Sequence, residues 1–208
     1  MKTGRLIALE GLDGCGKSTQ QERIAGALRA DGYTVVATRE PTDGPWGRRI
    51  RAMAGSAQAV APEEELRWFV EDRGRHVVDT IEPALRAGSI VLTDRYTLSS
   101  VAYQGARGLD WRRILEEGEA RFPVPDLVLL FDVTPEVGLE RVAVRGGARE
   151  ERFESRPYLE KVAAIFAAID RPYIERIDAN REPDAITEDA LRAIRALLVE
   201  AGDADSEV

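Results

Sequence analysis

Short apolar runs alternate along this chain with longer stretches in which apolar residues recur every three or four positions. Leu6-Ile7-Ala8-Leu9, Tyr33 to Ala37, Ile90 to Thr93 and Leu127 to Phe131 are each as long as one buried strand. Ile174 to Ile177 predicts a fifth, although Glu175 and Arg176 interrupt it. The stretches between them read as helices. Ser18 to Asp31 carries Ile24, Ala25 and Leu28 on one face and stops at Gly32, and a short basic helix is expected from Gly47 to about Ala54. Pro62 to Ala87 predicts a long helix, with Gly88 just past its end and an apolar stripe of Leu66, Phe69, Val70, Val77, Ile81 and Leu85. Further helices are expected from Pro135 to Arg145, from near Ser155, and up to about Glu200 with Thr187 as the cap. Apolar strands separated by helices predict a three-layer α/β/α fold around a mostly parallel, five-stranded sheet covered on both faces. No linker, repeat or low-complexity stretch divides residues 1–208, so a single domain is expected, with a frayed acidic tail over 202–208.

The join between the first strand and the first helix adds chemistry to this outline. After Glu10, Gly11-Leu12-Asp13-Gly14-Cys15-Gly16-Lys17-Ser18 fits the phosphate-binding loop pattern G-x-x-x-x-G-K-S/T, between a strand and a helix as that pattern requires. Glycines let successive backbone N–H groups turn around a phosphate, and the following helix points its positive end at the same place. Gly11, Asp13, Gly14, Cys15, Gly16, Lys17, Ser18 and Thr19 are therefore the expected triphosphate contacts. Lys17 supplies a full positive charge near the β- and γ-phosphates, and the Ser18 hydroxyl a ligand for Mg²⁺. A dinucleotide fingerprint fits less well, because Thr19 stands where its third glycine belongs.

Composition narrows the partners. The formal net charge of −8 argues against non-specific binding to nucleic acid or a membrane surface as the main role. Cys15 is the only cysteine, so an internal disulfide and a zinc–cysteine cluster are excluded, and it reads as a small space-filling residue. No apolar run approaches the ~18 residues of a membrane helix and no signal peptide precedes the first strand, so a cytosolic protein is expected.

Several cations fall on predicted strand ends or on segments able to reach them: Lys17, Arg39, Arg51, Arg73, Arg95, Arg145, Arg149 and Arg152. Arg73 interrupts the apolar stripe four residues after Phe69, and there it either snorkels to water or meets an anion. Arg145-Gly146-Gly147-Ala148-Arg149-Glu150-Glu151-Arg152 reads either as a solvated turn or as a mobile, arginine-bearing lid over about 145–154. A lid of that kind suits phosphoryl transfer, whose transition state spreads negative charge over the equatorial oxygens. Two phosphate sites follow, for a donor and an acceptor. An acceptor that is itself a phosphate needs no strong base, which leaves the lone histidine, His76, as a plain helix residue.

At these residues the chain resembles the thymidylate kinase family of nucleoside-monophosphate kinases, from Leu6 to about Leu198. The most specific piece is Asp94-Arg95-Tyr96-Thr97-Leu98-Ser99-Ser100-Val101-Ala102-Tyr103-Gln104, similar to the family's D-R-Y-x-x-S-x-x-A-Y-Q. Supporting pieces are the loop with Asp13, Arg39-Glu40-Pro41, Phe69 with Arg73, and Glu151-Arg152-Phe153-Glu154. The resemblance implies that Phe69 stacks on the thymine and that Arg73 binds at the acceptor nucleotide. It implies that Arg39, Arg51 and Arg95 hold the dTMP phosphate and that Ser100 and Gln104 hydrogen-bond the base. By the same resemblance Tyr103 favours a deoxyribose and Asp13 contacts the 3′-hydroxyl. Gly14 stands where eukaryotic-type members carry an arginine, so the catalytic arginine is expected from the lid, Arg149 or Arg145, with Arg152 beside the ATP. Thr42-Asp43 replaces a glycine pair of many bacterial members, and Glu151 an aspartate.

The expected activity is transfer from ATP to dTMP, with Mg²⁺ on Ser18 and on Asp94, the latter directly or through water, and a homodimer by family resemblance. Two rivals compete. Another nucleotide or deoxynucleoside kinase shares the fold, and for a nucleoside acceptor Glu10 or Asp94 would serve as base. A GTPase-like switch or nucleotide-sensing module usually reads guanine with N-K-x-D, but the only asparagine, Asn180, is followed by Arg181.

Overall fold

The computed structural model describes residues 4–55, 60–144 and 156–204. Five strands form one parallel sheet in the order β2-β3-β1-β4-β5: β1 (Arg5–Gly11), β2 (Val35–Arg39), β3 (Ile90–Asp94), β4 (Leu127–Asp132) and β5 (Ile174–Asp178). All five expected strands are present, and no antiparallel member joins them among the described residues. Leu6 to Gly11 are buried one after another, as a strand covered on both faces must be. The Leu9, Asp94 and Arg39 positions share one register row, so the end of β1 lies beside the charged ends of β3 and β2. That edge is where open α/β sheets hold ligands.

Helix α1 (Lys17–Ala30) buries Ile24, Ala25 and Leu28, the expected face. Helix α2 (Pro45–Ala54) starts two residues earlier than its basic pattern indicated, with proline at its first turn. The long helix consists of α3 (Pro62–His76), a π-helical turn (Val77–Ile81) and α4 (Glu82–Arg86). Pro83 accounts for the turn: its missing N–H and its ring are incompatible with regular α geometry there, and the Glu82 N–H bonds back to Val77 O instead. Helices α5 (Thr97–Ala106) and α6 (Trp111–Arg121) connect β3 to β4, and α7 (Pro135–Val144) and α8 (Arg156–Ala168) connect β4 to β5.

Helix α9 (Pro183–Ala204) corrects the expected cap. It begins at Pro183, and Thr187 lies one turn inside, where its hydroxyl donates to Pro183 O at 2.8 Å. It also runs past 200 into the tail expected to fray. The expected lid, with Arg145, Arg149 and Arg152, lies outside the described residues.

The buried face of α3 carries more than the expected apolar stripe. Leu66, Phe69 and Val70 are only half-buried, whereas Glu65, Trp68, Asp72, Arg73 and His76 are buried. Leu66 and Val70 nonetheless pack against the core cluster that Val77 and Ile81 join, and Phe69 packs against a second cluster of Ile50, Met53 and Trp68, so the helix buries polar residues alongside its apolar stripe.

Candidate active site

The loop between β1 and α1 closes tightly on its surroundings. Gly16 caps α1 in a left-handed conformation and brings no side chain to the helix N-terminus, so the first-turn N–H groups keep no capping oxygen from that residue. A Cβ on Gly14 would lie 2.1 Å from Gly138 O of α7. Position 14 therefore has no room for an arginine, or for any side chain, while α7 holds its place. Lys17 lies within the loop, its Nζ donating to Gly11 O at 3.0 Å and Leu12 O at 2.9 Å. Cys15 is buried. Ser18 and Thr19 are exposed at the start of α1, and the Ser18 hydroxyl donates to Asp94 Oδ2 at 2.6 Å.

Asp94 Oδ1 is buried and has no partner among the described residues. An orphan carboxylate oxygen beside a loop serine suits a hard cation, which Mg²⁺-dependent sites hold with one or two protein oxygens plus phosphate and water.

Next to the loop opens a cavity of about 300 Å³. Asp13, Arg39, Arg51 and Arg95 line it together with Phe69, Ser100, Tyr103 and Gln104, so eight residues scattered through the sequence converge on one space. Glu40, Glu65 and Ser99 line it as well; Glu40 and Ser99 belong to the quoted motifs without an assigned role, and Glu65 belongs to none. Arg95 joins the parts. It has a left-handed backbone, with φ of 70°, and its N–H bonds Leu9 O at 2.9 Å. Its guanidinium donates to Asp13 Oδ1 at 2.5 Å and to Ser99 Oγ at 3.0 Å, and lies 5.0 Å from the Tyr103 ring centre. The Tyr103 hydroxyl donates to Asp13 Oδ2 at 2.9 Å. Burial pushes the Asp13 carboxyl up, but the Arg95 and Lys17 charges with these hydrogen bonds outweigh it and bring it down to about 2. Burial, reinforced by the Asp13 charge, pushes the Tyr103 hydroxyl well up, so it stays a neutral donor.

Arg73 stands behind this wall rather than in it. It is 2% exposed, donates from Nε to Glu40 Oε2 at 2.9 Å, and reaches Tyr96 O and Ser100 Oγ at 2.9 and 3.0 Å. Of the two readings of its place in the stripe, the buried anion is the one realised. His76 is held by Glu40 at 3.0 Å and Thr38 at 2.7 Å. A face carrying Glu65, Phe69, Asp72, Arg73 and His76 at three-to-four spacing was the available signal, masked by the apolar residues interleaved with it.

Glu10 is fully buried and accepts from Tyr96 N at 2.9 Å, Ser99 N at 3.1 Å and Ser99 Oγ at 2.5 Å. Its carboxyl caps the N-terminus of α5 from another strand, and burial nonetheless pushes it above the ordinary range.

A parallel sheet whose first strand opens through a glycine–lysine–serine loop into a helix, beside an arginine-lined cavity at the strand ends, defines a P-loop nucleotide-binding protein. Within that class the chain belongs to the thymidylate kinase family, whose model matches residues 9–190. It is 43% identical over 195 residues to the thymidylate kinase of Desulfotalea psychrophila, covering 94% of this chain and 96% of that one. It is 44% identical over 206 residues to the thymidylate kinase of Xanthomonas euvesicatoria, covering 98% and 90%.

Proposed function

We propose that this protein transfers the γ-phosphoryl group of ATP to dTMP, giving dTDP and ADP for dTTP synthesis, and that it works as a cytoplasmic homodimer. The observation that carries the reading is the shared wall. Asp13 belongs to the phosphate-binding loop yet lines the neighbouring cavity, and Arg95 bonds it there, so a donor in the loop and an acceptor in the cavity would meet at one pair of side chains.

The acceptor phosphate is already anionic near neutral pH, so positioning and charge neutralisation do the work. Phe69 stacks on the base, Tyr103 and Asp13 face the sugar, and Arg39, Arg51 and Arg95 orient the phosphate. Lys17 and the lid arginines 145, 149 and 152 neutralise the transferred group, Arg149 or Arg145 acting at the transition state. Mg²⁺ would be held by Ser18 and Asp94 and would neutralise charge on the donor phosphates. A nucleoside kinase, by contrast, needs a carboxylate base, and Glu10 is bound by three donors of Tyr96 and Ser99. A coupled assay across dTMP, dUMP, dCMP, AMP and dGMP tests the reading, and absence of turnover with dTMP sinks it.

Two variants probe the details. Asp94→Asn removes the orphan carboxylate charge, and the Mg²⁺ concentration for half-maximal rate is expected to rise by about 10- to 100-fold; an unchanged titration would move the metal elsewhere. Asp43 bridges Arg39 at 3.1 Å and Arg51 at 3.0 Å, the two arginines assigned to the acceptor phosphate. Its carboxylate competes with that phosphate, but all three side chains are well exposed, so the effect is modest. Asp43→Ala is expected to lower the KM for dTMP by about two- to fivefold. A KM that stays put means the arginines reach the phosphate without leaving Asp43.

A further inference from the structure

Gln104 is 2% exposed and lines the cavity, and the two ends of its amide are unequally used. Its Nε2 donates to Glu65 Oε1 at 2.7 Å, while its Oε1 is buried without a partner among the described residues. A primary amide has two ends of nearly equal size, so its surroundings decide which end faces a ligand. Glu65 decides here. It is fully buried on α3, one turn before Phe69, and its other oxygen, Oε2, accepts from Arg107, which is anchored in turn to Val60 O at 2.8 Å. A carboxylate accepts and does not donate, so the Gln104 NH₂ is drawn to it and the carbonyl is left over.

We propose that Glu65 is a positioning residue for base selection. By locking the Gln104 amide it presents a hydrogen-bond acceptor to the nucleobase, favouring a pyrimidine with a ring N–H, such as thymine or uracil, over cytosine with a lone pair there. This rests on the proposed dTMP reading and adds to it the group that sets the polarity of the contact. The chain of three side chains makes the consequence sharp. In Glu65→Gln, the oxygen of the new amide is held by Arg107, so its NH₂ faces Gln104. Gln104 must then turn its own oxygen toward residue 65 and its NH₂ toward the base, inverting the signal.

The experiment measures kcat and KM for dTMP and dCMP in the wild type, Glu65→Gln and Glu65→Asp. In Glu65→Gln the KM for dTMP is expected to rise about tenfold or more with kcat within about threefold, and the preference for dTMP over dCMP to shrink by at least about tenfold. Glu65→Asp keeps an acceptor and is expected to hold its preference within about threefold of wild type. The preference is a ratio internal to each preparation, so a partly unfolded variant still reports it. A wild-type preference in Glu65→Gln, or equal losses in both variants, overturns the role of Glu65 alone. A wild type that does not phosphorylate dTMP overturns the substrate reading and this proposal with it.

Discussion

Arg95→Ala is expected to lower turnover of dTMP by about 10²- to 10³-fold, the usual cost of removing one preorganised donor from a site where charge develops. The guanidinium holds Asp13 of the loop and Ser99 of α5 at once, at 2.5 and 3.0 Å, so its loss removes the link between two walls of the cavity as well as one cation, with Tyr103 still on Asp13 and Glu10 still on Ser99. Backbone strain does not confuse the comparison. Arginine and alanine both carry a Cβ at the φ of 70°, and both bear the same left-handed penalty. The variant should also show a pH signature. In the wild type Asp13 ionises at about 2, with burial pushing up and Arg95 the foremost charge pulling down. Without Arg95 the upward push remains, so the Asp13 carboxyl titrates at higher pH and an acid limb of kcat/KM moves up with it. Stability follows the same sign. A depressed carboxyl stabilises the fold above its ordinary value of 3.8, and that contribution is lost as pH falls toward about 2. The gap in melting temperature between wild type and variant should therefore narrow below about pH 4, by a modest amount since 42% of the Asp13 side chain meets screening solvent. Arg95→Lys should recover part of the rate but not the forked contact. Turnover of Arg95→Ala within threefold of wild type would remove Arg95 from the catalytic machinery.

The features legible in the sequence are those whose physical cause is local. Leu6 to Leu9, Ile90 to Thr93 and Leu127 to Phe131 read as strands because a strand covered on both faces needs an unbroken apolar run. The loop from Gly11 to Ser18 was legible because a backbone cradle needs its glycines at set spacings. Pairings across the chain were not. Glu10 with Ser99, Asp13 with Arg95 and Glu65 with Gln104 lie 89, 82 and 39 residues apart, and nothing in a carboxylate's own neighbourhood tells which distant donor it will meet. The resemblance supplied Phe69, Arg73 and Gln104 as members of a site. It held Glu40 within a motif but gave it no role, and it did not supply Glu65, although these buried anions hold two of them. Thr187 failed as a cap for a simpler reason: Pro183 is already suited to a first helical position, and a threonine within the first turns can bond backward to its carbonyl.

Arg73 is where these two kinds of information meet, and its replacement should separate them. Arg73→Leu is expected to cost roughly 3–5 kcal/mol of stability, because it leaves the Glu40 carboxylate buried with one oxygen uncompensated. In a chain of this size that corresponds to a melting temperature lower by about 6–20 °C. Glu40 keeps His76 at 3.0 Å on its other oxygen, which limits the damage without removing it. Adding Glu40→Gln to Arg73→Leu removes the stranded charge and should return much of the loss, a coupling that two independent sites would not show. Affinity for dTMP should suffer less. Arg73 meets the cavity wall through Ser100 Oγ at 3.0 Å and through Glu40 at 2.9 Å rather than lining it, so the KM is expected to rise by less than about tenfold. The opposite pattern, a preserved melting temperature with a KM raised a hundredfold, would mean that Arg73 leaves Glu40 to hold the nucleotide itself. The ion pair would then be a resting place for the side chain rather than the reason an arginine interrupts the apolar stripe of α3.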